Sequence, residues 1–156
     1  MVDFQLNLHT ESVDQAHPTE PLLVAPEAPL RHVLELLKTD GRGAALICES
    51  GGRLVGILTE RDIVRFMAAE MDLDVAVKDV MIKRPVTVTR RDSVGRAIQL
   101  MSAGGYRRLP IVDDIGRPVG ILGAAGILEY LVEHFPQVIY TLPPQPHHTM
   151  QEREGA

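Results

Sequence analysis

The chain has 156 residues, 16 basic and 21 acidic side chains for a net charge of −5, and 45% hydrophobic content with 4% aromatics and no tryptophan. That supplies one compact domain, or two small fused halves, with a core of Val, Ile, Leu, Met and Ala. The acidic balance argues against general nucleic-acid binding, the single Cys48 excludes an intramolecular disulfide and most cysteine-based metal sites, and no apolar stretch reaches membrane-spanning length.

In chain order, Met1 to His9 alternates Val2, Phe4, Leu6 and Leu8 with polar residues, a period of two that predicts a short half-buried strand. This opening does not read as a secretory signal, so a soluble cytoplasmic protein is expected. Thr10 to Glu20 is polar, contains Pro18 and reads as a connector with room for one helical turn. Residues 1–19 are therefore set apart as an N-terminal strand and connector.

From there the chain repeats itself. Shifted by 64 residues, Pro21 to Ile63 lies over Pro85 to Ile127 without a gap, with twelve of forty-three positions identical. The matches concentrate in Gly52-Arg53-Leu54-Val55-Gly56-Ile57-Leu58 against Gly116-Arg117-Pro118-Val119-Gly120-Ile121-Leu122. A repeat of this length implies two copies of one supersecondary unit that bury each other's apolar faces. The expected copies are residues 20–76 and 77–135.

Each copy follows one plan. A short extended piece (Leu22 to Ala25; Val86 to Thr89) precedes a helix with Leu30, Val33, Leu34 and Leu37, or Val94, Ala97, Ile98 and Met101, on one face. Gly41 and Gly104-Gly105 stop these helices, as a left-handed C-terminal cap requires. Two apolar strands follow, joined by short turns at Glu49 to Gly52 and Asp113 to Gly116. Cys48 sits in the first of these apolar runs and reads as a buried, inert thiol. A second helix closes each unit, Glu60 to Met71 and about Ala125 to His134, and Val77 to Met81 can form one turn between the copies. The fold class is α+β, with small mixed sheets packed against helices.

Residues 136–156 form a tail in which Pro143, Pro144 and Pro146 favour extended polyproline geometry. The tail is either disordered or an arm laid on a partner subunit, and Val138, Ile139, Tyr140 and Leu142 favour the arm. His147-His148 has no cysteine or acidic residue at ligand spacing, so no metal is expected there. His9, His17, His32 and His134 show no triad spacing, no nucleophile-base signature appears, and an enzyme is not expected.

The residues now carry a resemblance. The repeated strand-helix-strand-strand-helix unit resembles the CBS domain, through Asp79-Val80-Met81 before Pro85-Val86-Thr87-Val88, Tyr106-Arg107-Arg108-Leu109-Pro110-Ile111-Val112-Asp113, and Gly56-Ile57-Leu58-Thr59-Glu60-Arg61-Asp62. The pair of copies, over about Glu20 to His134, looks like the two-CBS unit called a Bateman module, here of a stand-alone, bacterial type. The resemblance implies two units packed through their sheets with pseudo-twofold symmetry, leaving two clefts. Such clefts commonly take AMP, ADP, ATP or S-adenosylmethionine as regulatory ligands, with no obligatory cofactor. It also implies a homodimer that performs no chemistry and signals to a regulated protein whose identity the sequence does not give.

Thr59 and Asp62 match the family's ribose-binding pair. They stand where strand turns into helix, and a carboxylate there can accept both hydrogen bonds of a ribose diol while the helix N-terminus favours phosphate. Threonine followed three residues later by an acid is equally the pattern of a helix capping box. In the second copy Gly123 and Gly126 replace this pair, which predicts that the second cleft holds no ribose and that a close backbone approach governs there. The basic residues are reversed. Arg107 and Arg108 stand where the family presents cations to phosphate, and the first copy has Gly43 and Ala44 instead. This predicts one composite site, with ribose on Thr59 and Asp62 and phosphate on Arg107, Arg108, Lys83, Arg84 and Arg61. The alternative is that these arginines are surface charges paired with Asp113, Asp114 or Glu60. The adenine pocket falls, by position, on Leu23, Val24, Ala44 and Ala45. A basic patch of Lys83, Arg84, Arg90 and Arg91 is the one route to nucleic acid, and an interaction module with decayed ligand sites is the other reading of the fold.

Overall fold

The computed structural model describes Leu8 and residues 10–134. The expected strand over Met1 to His9 lies outside the described residues except at Leu8, which is helical and buried. The expected tail arm and His147-His148 lie outside them altogether.

The first copy contains β1 (Leu23–Val24), α1 (Leu30–Asp40), β2 (Ala44–Cys48), β3 (Leu54–Thr59) and α2 (Glu60–Ala68). A 3₁₀ turn at Val77–Asp79 and β4 (Ile82–Lys83) lead to α3 (Val94–Gly104), β5 (Arg108–Val112), β6 (Pro118–Gly123) and α4 (Ala124–His134). In α1 the spacing of Leu30, Val33 and Leu37 puts all three on one buried face, and Val94, Ala97 and Met101 do the same in α3. Both helices stop at a glycine with φ near +70°, Gly41 and Gly105, whose N–H reaches back to Leu37 or Met101. Gly104 is the last helical residue instead, and its missing Cβ leaves room for the Tyr106 ring. The second helix ends at Ala68, short of the expected Met71. Glu70 turns left-handed (φ 52°), and the Met71 N–H closes onto the Phe66 carbonyl.

The first sheet has the order β1-β2-β3-β4, with β1 parallel to β2 and the other pairs antiparallel. In the second sheet only β5 and β6 form a regular ladder. Its outer members shrink to bridges, Val88 beside Ile111 and Thr19 beside Ile121, so the strand expected over Val86 to Thr89 is a single paired residue. The two hairpins share a bulge at the same place, Ile47/Cys48 and Ile111/Val112. Their turns stack reciprocally: the Arg117 stem lies over Gly52 and the Arg53 stem over Gly116.

The 64-residue correspondence runs further back than residue 20. The Val13 N–H donates to the Asp92 carbonyl as the Val77 N–H donates to that of Ala28, both at 2.8 Å. Val94 bonds Glu11 as Leu30 bonds Val75. Each copy's leader therefore docks on the other copy. Val13 and Ala16 join the second copy's apolar cluster, and Val77 joins the first copy's. Between the sheets a small third cluster of Ala44, Leu46, Ile57 and Ile121 holds the copies face to face. Burying these apolar faces at roughly 25 cal/mol per Å² is what ties the halves into one unit.

Candidate functional site

The strand-to-helix junction of the first copy sets the centre of the site. Thr59 ends β3 and is the N-cap of α2, so Asp62 falls at the third helical position and folds back. Its Oδ2 accepts the Thr59 N–H and the Thr59 hydroxyl, each at 2.9 Å. Asp62 is 5% exposed and is the one buried charged residue among those described. These hydrogen bonds offset the cost of taking its oxygen out of water. Its Oδ1 makes no hydrogen bond to the described residues, which leaves one acceptor oxygen for a ligand. Capping and ligand binding are thus compatible here, because each uses a different oxygen.

Around this pair lies a cleft of about 1060 Å³ between the copies. Helix α2 contributes Glu60, Arg61 and Arg65 from its first two turns. Strand β4 pairs with β3 through Ile57–Ile82 and Gly56–Lys83, and this carries Lys83 and Arg84 to the opposite wall. Arg84 has φ +51°, a left-handed conformation that costs a non-glycine residue about 1 kcal/mol or more. Arg107 and Arg108 enter from the start of β5. The Arg108 guanidinium lies where a side chain on Gly43 would stand, and the Gly43 carbonyl accepts the Glu60 N–H at the head of α2. The glycine that replaces a basic residue in copy one is therefore the space in which copy two's arginine sits. All seven residues expected to hold ribose and phosphate line this one cleft.

The charges divide sharply. Arg31, Arg42, Arg53, Arg90, Arg91, Arg96 and Arg117 each pair with a carboxylate. None of the five arginines in the cleft does so among the described residues. Asp113 and Asp114, the alternative partners, are engaged elsewhere. Asp113 accepts the Arg117 N–H and guanidinium and the Ile115 N–H, which hold its carboxyl below the usual range, and Asp114 faces Arg91. Arg90 and Arg91 are paired with Asp14 and Asp114, apart from Lys83 and Arg84 in the cleft.

The four residues expected at the base do not line this cleft. Leu23 and Val24 pair with Leu46 and Ile47 on the far side of β2, away from β4, and line a separate groove of about 350 Å³. Ala44 and Ala45 are 1% and 0% exposed. The apolar wall of the cleft comes instead from Ile57, Ile82, Pro85, Val86 and Pro110, with the Tyr106 ring at its edge. A two-residue strand carries too little pattern to reveal the β3–β4 pairing that places Ile82 to Val86. Arg65 is not among the residues expected from the sequence, although its spacing of four from Arg61 puts it on the same helical face. Cys48 is half-buried beside the smaller groove, and burial pushes its thiol up, away from the reactive thiolate.

At the equivalent junction of the second copy, the leader crosses the start of α4. Thr19 exchanges two backbone hydrogen bonds with Ile121 at 2.9 Å. A Cβ on Gly126 would stand 2.6 Å from the Ala16 carbonyl oxygen and 3.0 Å from that of His17. The close backbone approach expected at this glycine is present, made by the chain's own leader. His17, itself left-handed at φ 53°, pairs with Glu133 of α4 at 2.9 Å and clasps the leader down. With Glu129 it places three ligand atoms within 4.8 Å of one another, all on exposed side chains.

The CBS domain family model matches residues 13–69 and 77–133, the same 64-residue offset. An uncharacterized 17.7 kDa protein of Acidianus ambivalens is 31% identical over 121 residues, covering 78% of this chain and 73% of that one. Other relatives are longer, and the chain spans 23% of two of them. Among solved structures, a CBS domain protein from Pyrobaculum aerophilum complexed with AMP aligns at TM-score 0.70 and 26% identity, over 78% of this chain and 98% of that one. The CBS domain pair of protein MJ0100, in complex with 5-methylthioadenosine and S-adenosyl-L-methionine, aligns at TM-score 0.72 and 22% identity, over 80% and 98%.

Proposed function

The chain belongs to the CBS domain family, and from that premise we propose that it is a regulatory module that binds one adenine nucleotide in the cleft between its two copies. The observation that carries this reading is the convergence on one cleft of Thr59 and Asp62 from the first copy with Arg107 and Arg108 from the second. Asp62 accepts the ribose diol, Arg108 at the head of α2 meets the first phosphate, and the base lies against Ile57, Ile82 and Pro85. Unpaired cations favour a phosphorylated ligand over S-adenosylmethionine, whose sulfonium adds positive charge to a positive site. Because the ligand touches both copies, it favours one packing of the pair over others, and a regulated protein reads the shift. No catalytic group takes part.

Thermal unfolding against AMP, ADP, ATP, GTP, NAD and S-adenosylmethionine tests the reading. An adenine nucleotide at about a hundred times its dissociation constant adds roughly 2.7 kcal/mol. In a chain of this size that raises the midpoint by several degrees. The rise is expected to vanish in Asp62→Ala. If no compound moves the midpoint, the nucleotide reading fails.

A second reading, an interaction module of the same fold, is favoured by one specific feature. Val64 on α2 and Leu128 on α4 are 68% and 61% exposed and occupy equivalent positions 64 residues apart, with Met67 and Val132 beside them. Paired apolar ridges of this kind suit a second copy across a twofold axis, so the module is proposed to work as a homodimer. Sedimentation of Val64→Asp should show monomer where the wild type shows dimer; an unchanged mass would remove this face from the interface.

A further inference from the structure

We infer that the ligand of this cleft is a nucleoside polyphosphate, and that Arg61, Arg65, Arg84 and Arg107 select it over the monophosphate. The inference rests on the nucleotide reading above and starts from the ion-pair census. Every described arginine outside the cleft has a carboxylate partner, and the arginines inside it have none among the described residues. With Lys83 the cleft presents six cations against two carboxylates, Glu60 and Asp62, an excess of four. Asp62 is already turned toward Thr59, so the imbalance at the phosphate end is not relieved from within.

The arrangement also carries a cost that an anion would remove. Arg61 and Arg65 stand four apart on one helix, Lys83 and Arg84 are adjacent, and so are Arg107 and Arg108. Like charges four apart on a helix repel and destabilise it by a few tenths of a kcal/mol, and the adjacent pairs add their charge to the same cleft. Elsewhere among the described residues the arginines meet carboxylates; here they line one cavity together. A monophosphate brings one phosphate group and occupies the neighbourhood of Arg108 at the head of α2. Arg65 lies a turn further along the helix, beyond the first phosphate, and Arg84 and Arg107 stand on other walls. Only a ligand whose negative charge continues past the first phosphate meets all of them, and each added phosphate makes charge-assisted hydrogen bonds of the stronger kind.

The experiment is a calorimetric titration of adenosine, AMP, ADP and ATP, with inorganic triphosphate alongside, in magnesium-free buffer at two salt concentrations. Wild type and Arg65→Gln are compared, Arg65 being exposed on α2 and outside the core. The expected result is an affinity that rises from AMP to ATP by about tenfold or more, with a steeper salt dependence for ATP. Arg65→Gln should flatten that rise while leaving AMP binding within about twofold. Measurable competition by inorganic triphosphate, but not by inorganic phosphate, would support the same assignment. AMP and ATP binding equally well would overturn the inference while leaving the nucleotide reading standing. Failure of all four adenosine compounds to bind would overturn both.

Discussion

Tyr130 is fully buried in α4, stacks on His134 at 4.2 Å, and has a hydroxyl without a hydrogen-bond partner among the described residues. Burial raises its pKa, so the group stays neutral, but an unpaired buried hydroxyl still forfeits its bonds to water. The equivalent residue of the first copy is Phe66, which has no such group. Tyr130→Phe is therefore expected to leave stability unchanged or raise it by up to about 1 kcal/mol in thermal unfolding. A loss of more than that would mean the hydroxyl has a partner. Asp62 shows the opposite economy, a buried carboxylate with one oxygen engaged and one open. Its place beside Thr59 was readable because a three-residue spacing at a helix start fixes geometry locally. The apolar wall of the cleft was not, because Ile82 to Val86 reach it through a pairing with β3 that no local pattern encodes.

At the scale of elements, helices α1 and α3 were legible from their apolar spacing and their glycine stops, and both hairpins from their turns. The leader carries the one helical turn expected of it, at Val13–Gln15, and also docks on the second copy. It buries only Val13 and Ala16, and its hydrogen bonds go to residues some eighty to a hundred positions away, so nothing periodic marks it. Yet this leader occupies the start of α4, the position at which the first copy has Thr59 and Asp62. Gly126 is what allows it to lie there. Gly126→Asp, which would restore the first copy's residue, is expected to destabilise the fold by about 1–3 kcal/mol through overpacking against the Ala16 carbonyl. Calorimetry should still count one nucleotide per chain in that variant. An unchanged unfolding midpoint together with a second bound nucleotide would mean that the leader leaves easily and the second cleft is open.

For the whole molecule, two copies of one unit have diverged in complementary directions. The first keeps Thr59 and Asp62 and gives up its basic pair at Gly43 and Ala44; the second keeps Arg107 and Arg108 and gives up the acid at Gly126. The reciprocal docking of leaders and hairpin turns holds the copies in register, so that one cleft receives the retained groups of both. A ligand there adds one more bridge between halves joined by their docked leaders, their stacked turns and a small apolar cluster. The most direct measurement compares adenosine with AMP in wild type, Asp62→Asn and Arg108→Gln. Asp62→Asn is expected to weaken both ligands alike, since both carry the ribose. Arg108→Gln is expected to weaken AMP about tenfold or more and leave adenosine within about twofold, the loss of one charged hydrogen bond confined to the phosphate. Equal losses for adenosine and AMP in Arg108→Gln, or none for either, would contradict a site shared between the two copies.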